Sequence, residues 1–260
     1  MERLARRDEK RDGISRSALR LWGLLFAIPG VISRAIIQNG LLNMGSITNE
    51  QLLEAMMGSG QTMAFATLAL VLQAVEACAI PIFAFLLVEG AQHTSNLNRY
   101  LLRVAGVAVL SELPYNLAVS GSLWDLSSRN PVFGLVFALI MLYLYRRYEG
   151  KNAGRVLLRI VITVAAVLWP IMLKVQDGAC CVILTAVLWL CREKKQYRAF
   201  IGCAAAACCS VLSPFYLAAP MGFMAIHFYR GDKGDENKLI NYLAYPVLLI
   251  AAAAAVKLIG

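Results

Sequence analysis

The chain has 260 residues, 59% of them hydrophobic and 16% charged, with a formal net charge of +9 and a mean hydropathy of +0.63. Soluble domains carry about 25% charged residues, so this composition excludes an ordinary soluble enzyme and points to an all-α, polytopic transmembrane helix bundle. The basic residues lie at the ends of apolar runs and are not interleaved with aromatics on one face, which excludes nucleic acid and makes the lipid bilayer the partner.

Residues 1–20 read as a basic arm, with Arg3, Arg6, Arg7, Lys10, Arg11, Arg16 and Arg20 serving as an orientation signal. No cleaved secretory signal is expected there. Residues 21–260 read as a single transmembrane helical domain. The first span is placed at residues 21–38, and it contains Pro29, Gly30 and Arg34. The second is placed at residues 62–88, with a kink at Pro81. A polar elbow with Glu89, Gly90, His93, Arg99 and Arg103 leads into the third, residues 100–120. Further spans fall at residues 131–145, 156–173 and 179–191, the last two joined by a tight hairpin through Lys174 and Asp177. The run 199–229 is too long for one ordinary span and is divided at Pro214, and a last span covers residues 239–259. The total is about nine spans, with eight possible if the Pro214 pair is merged.

Nearly all of the 25 Lys and Arg residues then fall on the side of the N-terminus, the exceptions being Arg34, Arg129, Lys174 and Lys257. The positive-inside rule therefore sets the N-terminus in the cytoplasm. The seven cysteines lie in or beside apolar runs without C-x-x-C spacing. They read as small packing residues, so neither a metal site nor a bound cofactor is expected.

Glu76 and Glu112 fall near the bilayer midplane, where an ionised carboxylate costs at least about 2.5–3.5 kcal/mol on insertion scales. Each has polar company on its own helix: Gln73 near Glu76, and Ser111, Tyr115 and Asn116 near Glu112. Arg34 is the one unassigned intramembrane cation and is a partner for either. Two readings of each carboxylate stand: a general base or proton relay in a midplane cavity, and a hydrogen-bonded structural glutamate. A second group is placed on the cytoplasmic side, with His93, Arg99, Arg103, His227 and the Asn241, Tyr242 and Tyr245 stretch. Histidine transfers protons near neutral pH and arginine holds phosphate bidentately, although both side chains also serve as helix caps and headgroup contacts.

The residues Pro81 to Gly90, followed by His93-Thr94 and by Arg99-Tyr100 and Arg103, resemble the signature block of the TraX family of multi-pass membrane proteins. Ser111-Glu-Leu-Pro-Tyr-Asn116 is similar to that family's next block, and Phe228 to Gly234 with Tyr245-Pro246 to its closing blocks. The resemblance implies an inner-membrane protein linked to conjugal transfer that moves an acetyl or other acyl group from acyl-CoA to an amine. The acceptor it implies is a membrane-associated protein or peptide. On that basis Glu112, His93 and Glu76 are the catalytic candidates. Arg99 and Arg103, with Tyr245 and His227, are the candidates for holding acyl-CoA as co-substrate. The first span departs from the family pattern in holding no histidine. Two other classes of function stay open: a proton-coupled transporter or channel using Glu76 and Glu112, and a non-catalytic membrane subunit of a conjugation or secretion assembly.

Overall fold

The computed structural model describes residues 13–44, 49–150, 152–232 and 238–259, and among these it is helical throughout, with two isolated β-bridges. Most of the basic arm lies outside the described residues. Its end does not, because Ser15 caps a helix that already starts at Arg16, its Oγ accepting from Ala18 N at 3.3 Å. Helix α1 (Arg16–Val31) runs directly into a π-helical segment, Ile32–Leu41. That wider winding turns Ser33, Arg34, Ala35 and Ile37 inward, and such segments concentrate at functional sites.

Helix α2 (Asn49–Gly58) precedes α3 (Gly60–Ala77) and α4 (Ala79–His93), which are nearly continuous. The break at Cys78 has a cause in the sequence: Pro81 has no N–H to give to the carbonyl of Ala77 four residues back. Helix α5 (Leu97–Ser120) opens on Asn96, whose Oδ1 accepts from Arg99 N at 3.0 Å, and closes on Gly121 at φ +69°. Then follow α6 (Val132–Arg147), α7 (Ala153–Met172), α8 (Gly178–Leu190) and α9 (Lys195–Cys208). After two 3₁₀ pieces, Cys209–Val211 and Pro214–Met221, come the short α10 (Gly222–His227) and the long α11 (Lys238–Ile259).

Among the described residues, five helical stretches are long and apolar enough to cross a membrane: Arg16–Leu41, Gly60–His93, Leu97–Ser120, Ala153–Met172 and Tyr242–Ile259. Together they fit a multi-pass membrane protein, but the count of about nine spans is not supported. The stretch on either side of Pro214 is the reason: the break at Ser213 leaves 3₁₀ turns and a six-residue helix in place of two spans. Helices α6 and α8, with 16 and 13 residues, extend about 24 and 20 Å, short of a hydrocarbon core of about 30 Å.

Two apolar clusters hold the bundle. In the larger one α4 and α8 are central, and Ile82, Phe85, Val182, Leu184 and Leu188 are fully buried among α1, α6, α9 and α10. The smaller joins the π-helical segment, the far half of α5 and α11 through Ala35, Tyr115, Ala118, Leu249 and Ala253. Helix α7 leaves Leu157, Ile160, Val161, Val164 and Leu168 exposed, a face suited to lipid.

The shorter helices fold their far loops back into the body of the bundle. Residues 121–131 return along α5, and Arg129 pairs with the hairpin after α7: its N–H donates to Lys174 O at 2.9 Å and its carbonyl accepts from Gln176 N at 3.0 Å. At the opposite end the elbow, the turn after α6 and the turn after α8 meet: Arg146 donates to Ala91 O at 3.1 Å, and Arg192 lies 3.7 Å from Glu149. The contact of α6 with the α7–α8 hairpin needs two glycines, since a Cβ on Gly134 would lie 2.7 Å from Gly178 Cα. Gly134→Val is therefore expected to cost about 1–3 kcal/mol. The change is readable as a lower thermal midpoint in detergent, whereas Gly106→Ala, where nothing lies within 4 Å, leaves the midpoint in place.

Candidate functional site

The polar centre of the molecule sits where the two apolar clusters meet. The π-helical segment presents Arg34 and α3 presents Glu76, and the Arg34 guanidinium donates to Glu76 Oε1 with both residues buried. Neighbours fix the pair. Ser33 Oγ donates to Ala69 O at 2.8 Å and accepts from Gln38 and Gln73, each at 3.3 Å. Gly30 is the other requirement, because a methyl group there would overlap the Glu76 carboxyl. Of the two carboxylates that Arg34 was free to join, the fold selects Glu76.

Glu76, on α3, lines a half-open cavity of about 200 Å³ whose other walls come mainly from α1, α4, α5, α6 and α11. Its walls are apolar, with Leu24, Ile80, Phe83, Leu87, Val104 and Leu135 among them. The polar groups divide between two ends. Arg20, Tyr100 and Tyr242 stand toward the elbow, while Glu76, Gln176, Asp177 and Tyr245 form a floor near the folded-back hairpin. On α4 and its approach the lining runs from Leu87 to Glu76, eleven residues, so the cavity is about 16 Å deep.

Glu76 and Tyr245 are thus brought together. Glu112 is held elsewhere: Arg129 Nη1 reaches its Oε1 at 2.9 Å, and Asn130 donates to its Oε2 from the backbone at 3.2 Å and from Nδ2 at 2.6 Å. It anchors the returning loop to α5 and is not among the residues lining the cavity. His93 closes α4, its Nδ1 2.8 Å from Glu89 O, with a side chain 56% exposed. Arg99 and Arg103 are exposed on α5, one turn apart and on either side of the lining residue Tyr100, with Arg103 Nε donating to Arg99 O at 3.2 Å. His227 is exposed at the end of α10, its ring edge-on to Phe228 at 5.4 Å. His93 and His227 therefore lie outside the cavity lining, at the elbow end.

Two groups of functional interest, Asp177 of the hairpin and Glu89 of the elbow, are not among the site candidates that the sequence offers. Asp177 forms part of the cavity floor and accepts from Tyr216 Oη at 2.7 Å. Glu89, buried at the end of α4, lies 3.5 Å from Arg198 and 3.8 Å from Arg16. Arg198 stacks 4.5 Å over Phe85, which Tyr229 meets edge-on at 5.1 Å. Burial pushes the Tyr229 phenol up, with Arg16 acting against it. This second cluster ties α1, α4, α9 and the segment after α10 together beneath the elbow. All seven cysteines are free, and among the described residues no three His, Cys, Asp or Glu side chains gather around a metal position.

Removing one member of a buried ion pair leaves the other uncompensated and costs about 3–5 kcal/mol. Arg34→Met and Glu76→Leu singly are therefore expected to lower the thermal midpoint sharply, and the double substitution to recover most of the loss. Unfolding in detergent micelles reads all three.

The chain matches the family described as TraX protein over residues 53–254. Nothing among the curated proteins or the solved structures matches it. The matched stretch runs from α2 to near the end of α11 and takes in Glu76, Glu89, Glu112, Asp177 and Tyr245. With the helices from α3 to α10, nearly all of α11 and Glu76 of the polar centre inside that match, the chain belongs to the TraX protein family.

Proposed function

We propose that this protein is a membrane acyltransferase that moves an acyl group from acyl-CoA to an amine, using the cavity that Glu76 lines. The observation that carries the reading is an apolar chamber with basic and phenolic groups at its elbow end and an ion-paired carboxylate on its floor. Arg20 stands at that rim and Arg103 just outside it, suited to the phosphates of the donor. The apolar walls exclude water from the thioester and strengthen the electrostatics on the floor. Arg34 holds Glu76 in place through Oε1, and Oε2 takes the proton of the acceptor amine as its nitrogen attacks the thioester carbon. The C–N bond forms, the C–S bond breaks, and the departing sulfur receives that proton.

The surplus of Lys and Arg at the elbow end favours a cytoplasmic N-terminus, and a cytoplasmic supply of acyl-CoA with residence in the plasma membrane belongs to the same reading. An apolar chamber with a polar floor suits an acceptor that enters by one end, such as the free terminus of a membrane-associated peptide or protein.

Purified protein in lipid nanodiscs, given labelled acetyl-CoA and amine acceptors, is expected to transfer the label, and Glu76→Gln to reduce the rate by about 10²-fold or more. A well-folded wild type that binds CoA and transfers nothing contradicts the proposal. Proton flux in liposomes that Glu76→Gln abolishes points to ion translocation instead.

A further inference from the structure

Helix α7 carries a charge that the rest of the bundle leaves unanswered. Arg159 lies six residues, or about 9 Å, inside the elbow-end start of this membrane-crossing helix. Its stripe continues through Thr163, Ala166 and Pro170, the side of α7 packed on α6 and α8, and faces away from the exposed Leu157, Val161 and Leu168. Thr163 holds it in that seam. Tyr145 Oη on α6 donates to Thr163 Oγ1, which in turn donates to Arg159 O at 2.7 Å, so both hydroxyl protons are spent between the helices.

The guanidinium receives no anion in return. Its Nε is buried without an acceptor, and among the described residues no hydrogen bond, ion pair or ring contact engages its terminal nitrogens. Acids at this end of the molecule are committed elsewhere: Glu149 and Glu193 each lie 3.7 Å from Arg192, and Glu89 lies between Arg16 and Arg198. An arginine inside a span is costly unless a negative charge joins it. The surroundings add charge of the same sign. Arg155 stands one turn nearer the surface with its stem beside Gly150, its Nη1 reaching only the backbone oxygen of Glu149 at 3.5 Å, and Arg146 and Arg147 end α6.

We infer that the elbow end of the α6–α7 seam is a seat for the phosphate of an anionic phospholipid, gripped by Arg159 from within the seam and by Arg155 at its rim. Depth is the first argument: side chains on a helix lean toward its N-terminus, so the Arg159 guanidinium reaches back to the level of the first turn of α7, where lipid headgroups lie. Chemistry is the second, because a phosphodiester supplies the acceptor oxygens that the unpartnered N–H groups of a guanidinium need. Beside the two arginines, Val156, Ile160 and Val164 form an exposed apolar stripe along which acyl chains run. The surplus of positive charge repels the ammonium of a zwitterionic headgroup, and a headgroup such as that of phosphatidylglycerol carries none. The seat lies apart from the cavity and is independent of acyl transfer.

The test is lipid binding to the full chain in uncharged detergent, read by titration calorimetry and by native mass spectrometry of retained lipid. The probes are short-chain phosphatidylglycerol, its phosphatidylcholine counterpart and inorganic phosphate. Phosphatidylglycerol is expected to bind saturably and about tenfold or more tightly than either of the others. Arg159→Gln is expected to weaken it by about ten- to a hundredfold, the usual worth of hydrogen bonds between charged groups, and Arg155→Gln by about three- to tenfold. Since Arg159 has no partner in the protein, the lipid-free thermal midpoint of Arg159→Gln is expected to equal or exceed that of the wild type. The rise in midpoint that phosphatidylglycerol gives the wild type is expected to disappear in this variant. A lowered midpoint in lipid-free Arg159→Gln reveals a partner inside the protein and overturns the seat, as does phosphatidylglycerol binding that the substitution leaves undiminished. Equal binding of the two lipids removes the headgroup recognition, and inorganic phosphate binding as tightly as phosphatidylglycerol makes the occupant a free anion. Either of these results also overturns the proposal.

Discussion

The contact between Arg34 and Glu76 is the constraint on which the rest of the molecule turns. It joins the first span to the second at the level where the larger apolar cluster gives way to the smaller one. Neither charge is tolerable alone at that depth, because an unpaired ion in hydrocarbon costs several kcal/mol, so the two helices are obliged to meet there. Gly30 clears the space, Ser33 and Gln73 cross-link the neighbouring turns, and the π-helical winding turns Arg34 inward. With α1 and α3 fixed against each other, the gap left among α1, α4, α5 and α11 becomes the cavity, and the ion pair becomes part of its floor.

The unequal lengths of the helices give that cavity its depth. Helix α5 extends about 36 Å and α6 about 24 Å, so the loop between them travels back along α5 until Arg129 and Asn130 reach Glu112. The hairpin after α7 joins the returning loop through backbone pairing and carries Asp177 inward to the level of the ion pair. The outcome is a polar layer made partly of loops inside a bundle that is otherwise apolar. Irregular backbone at such depth is tolerated where it is enclosed by protein or lines a cavity.

Much of this was legible in the sequence. Apolar length and the polar punctuation between runs give the all-helical membrane architecture, and the rarity of intramembrane charge singles out Arg34 and Glu76. The family was legible in the block around Pro81 and Glu89, and the match over residues 53–254 bears it out. The depth of the loops was less accessible. Asp177 sits in a turn of ordinary hairpin composition, and only the brevity of the helix after it, 13 residues or about 20 Å, signals that the turn stops short of the far surface. Glu112 looks like a midplane charge when α5 is considered alone, and its partner Arg129 comes from a loop whose return path no periodicity records. Pro214 reads as a boundary between two spans because run length does not distinguish helix from 3₁₀ winding. The structure uses that stretch to cover the break at Cys78, whose Sγ donates to Ala218 O at 3.3 Å.

The account stands on the cavity between α1, α4, α5, α6 and α11 being the chamber in which donor and acceptor meet. Val107 lines its middle on α5 and takes no part in the ion pair or in the loop anchors. Rates of labelled acyl transfer from acyl-CoA by Val107→Trp, measured beside its thermal midpoint, test the claim most directly. The account predicts that the indole fills the chamber and transfer falls to background while the midpoint stays near that of the wild type. Transfer at the wild-type rate through a filled chamber would contradict it.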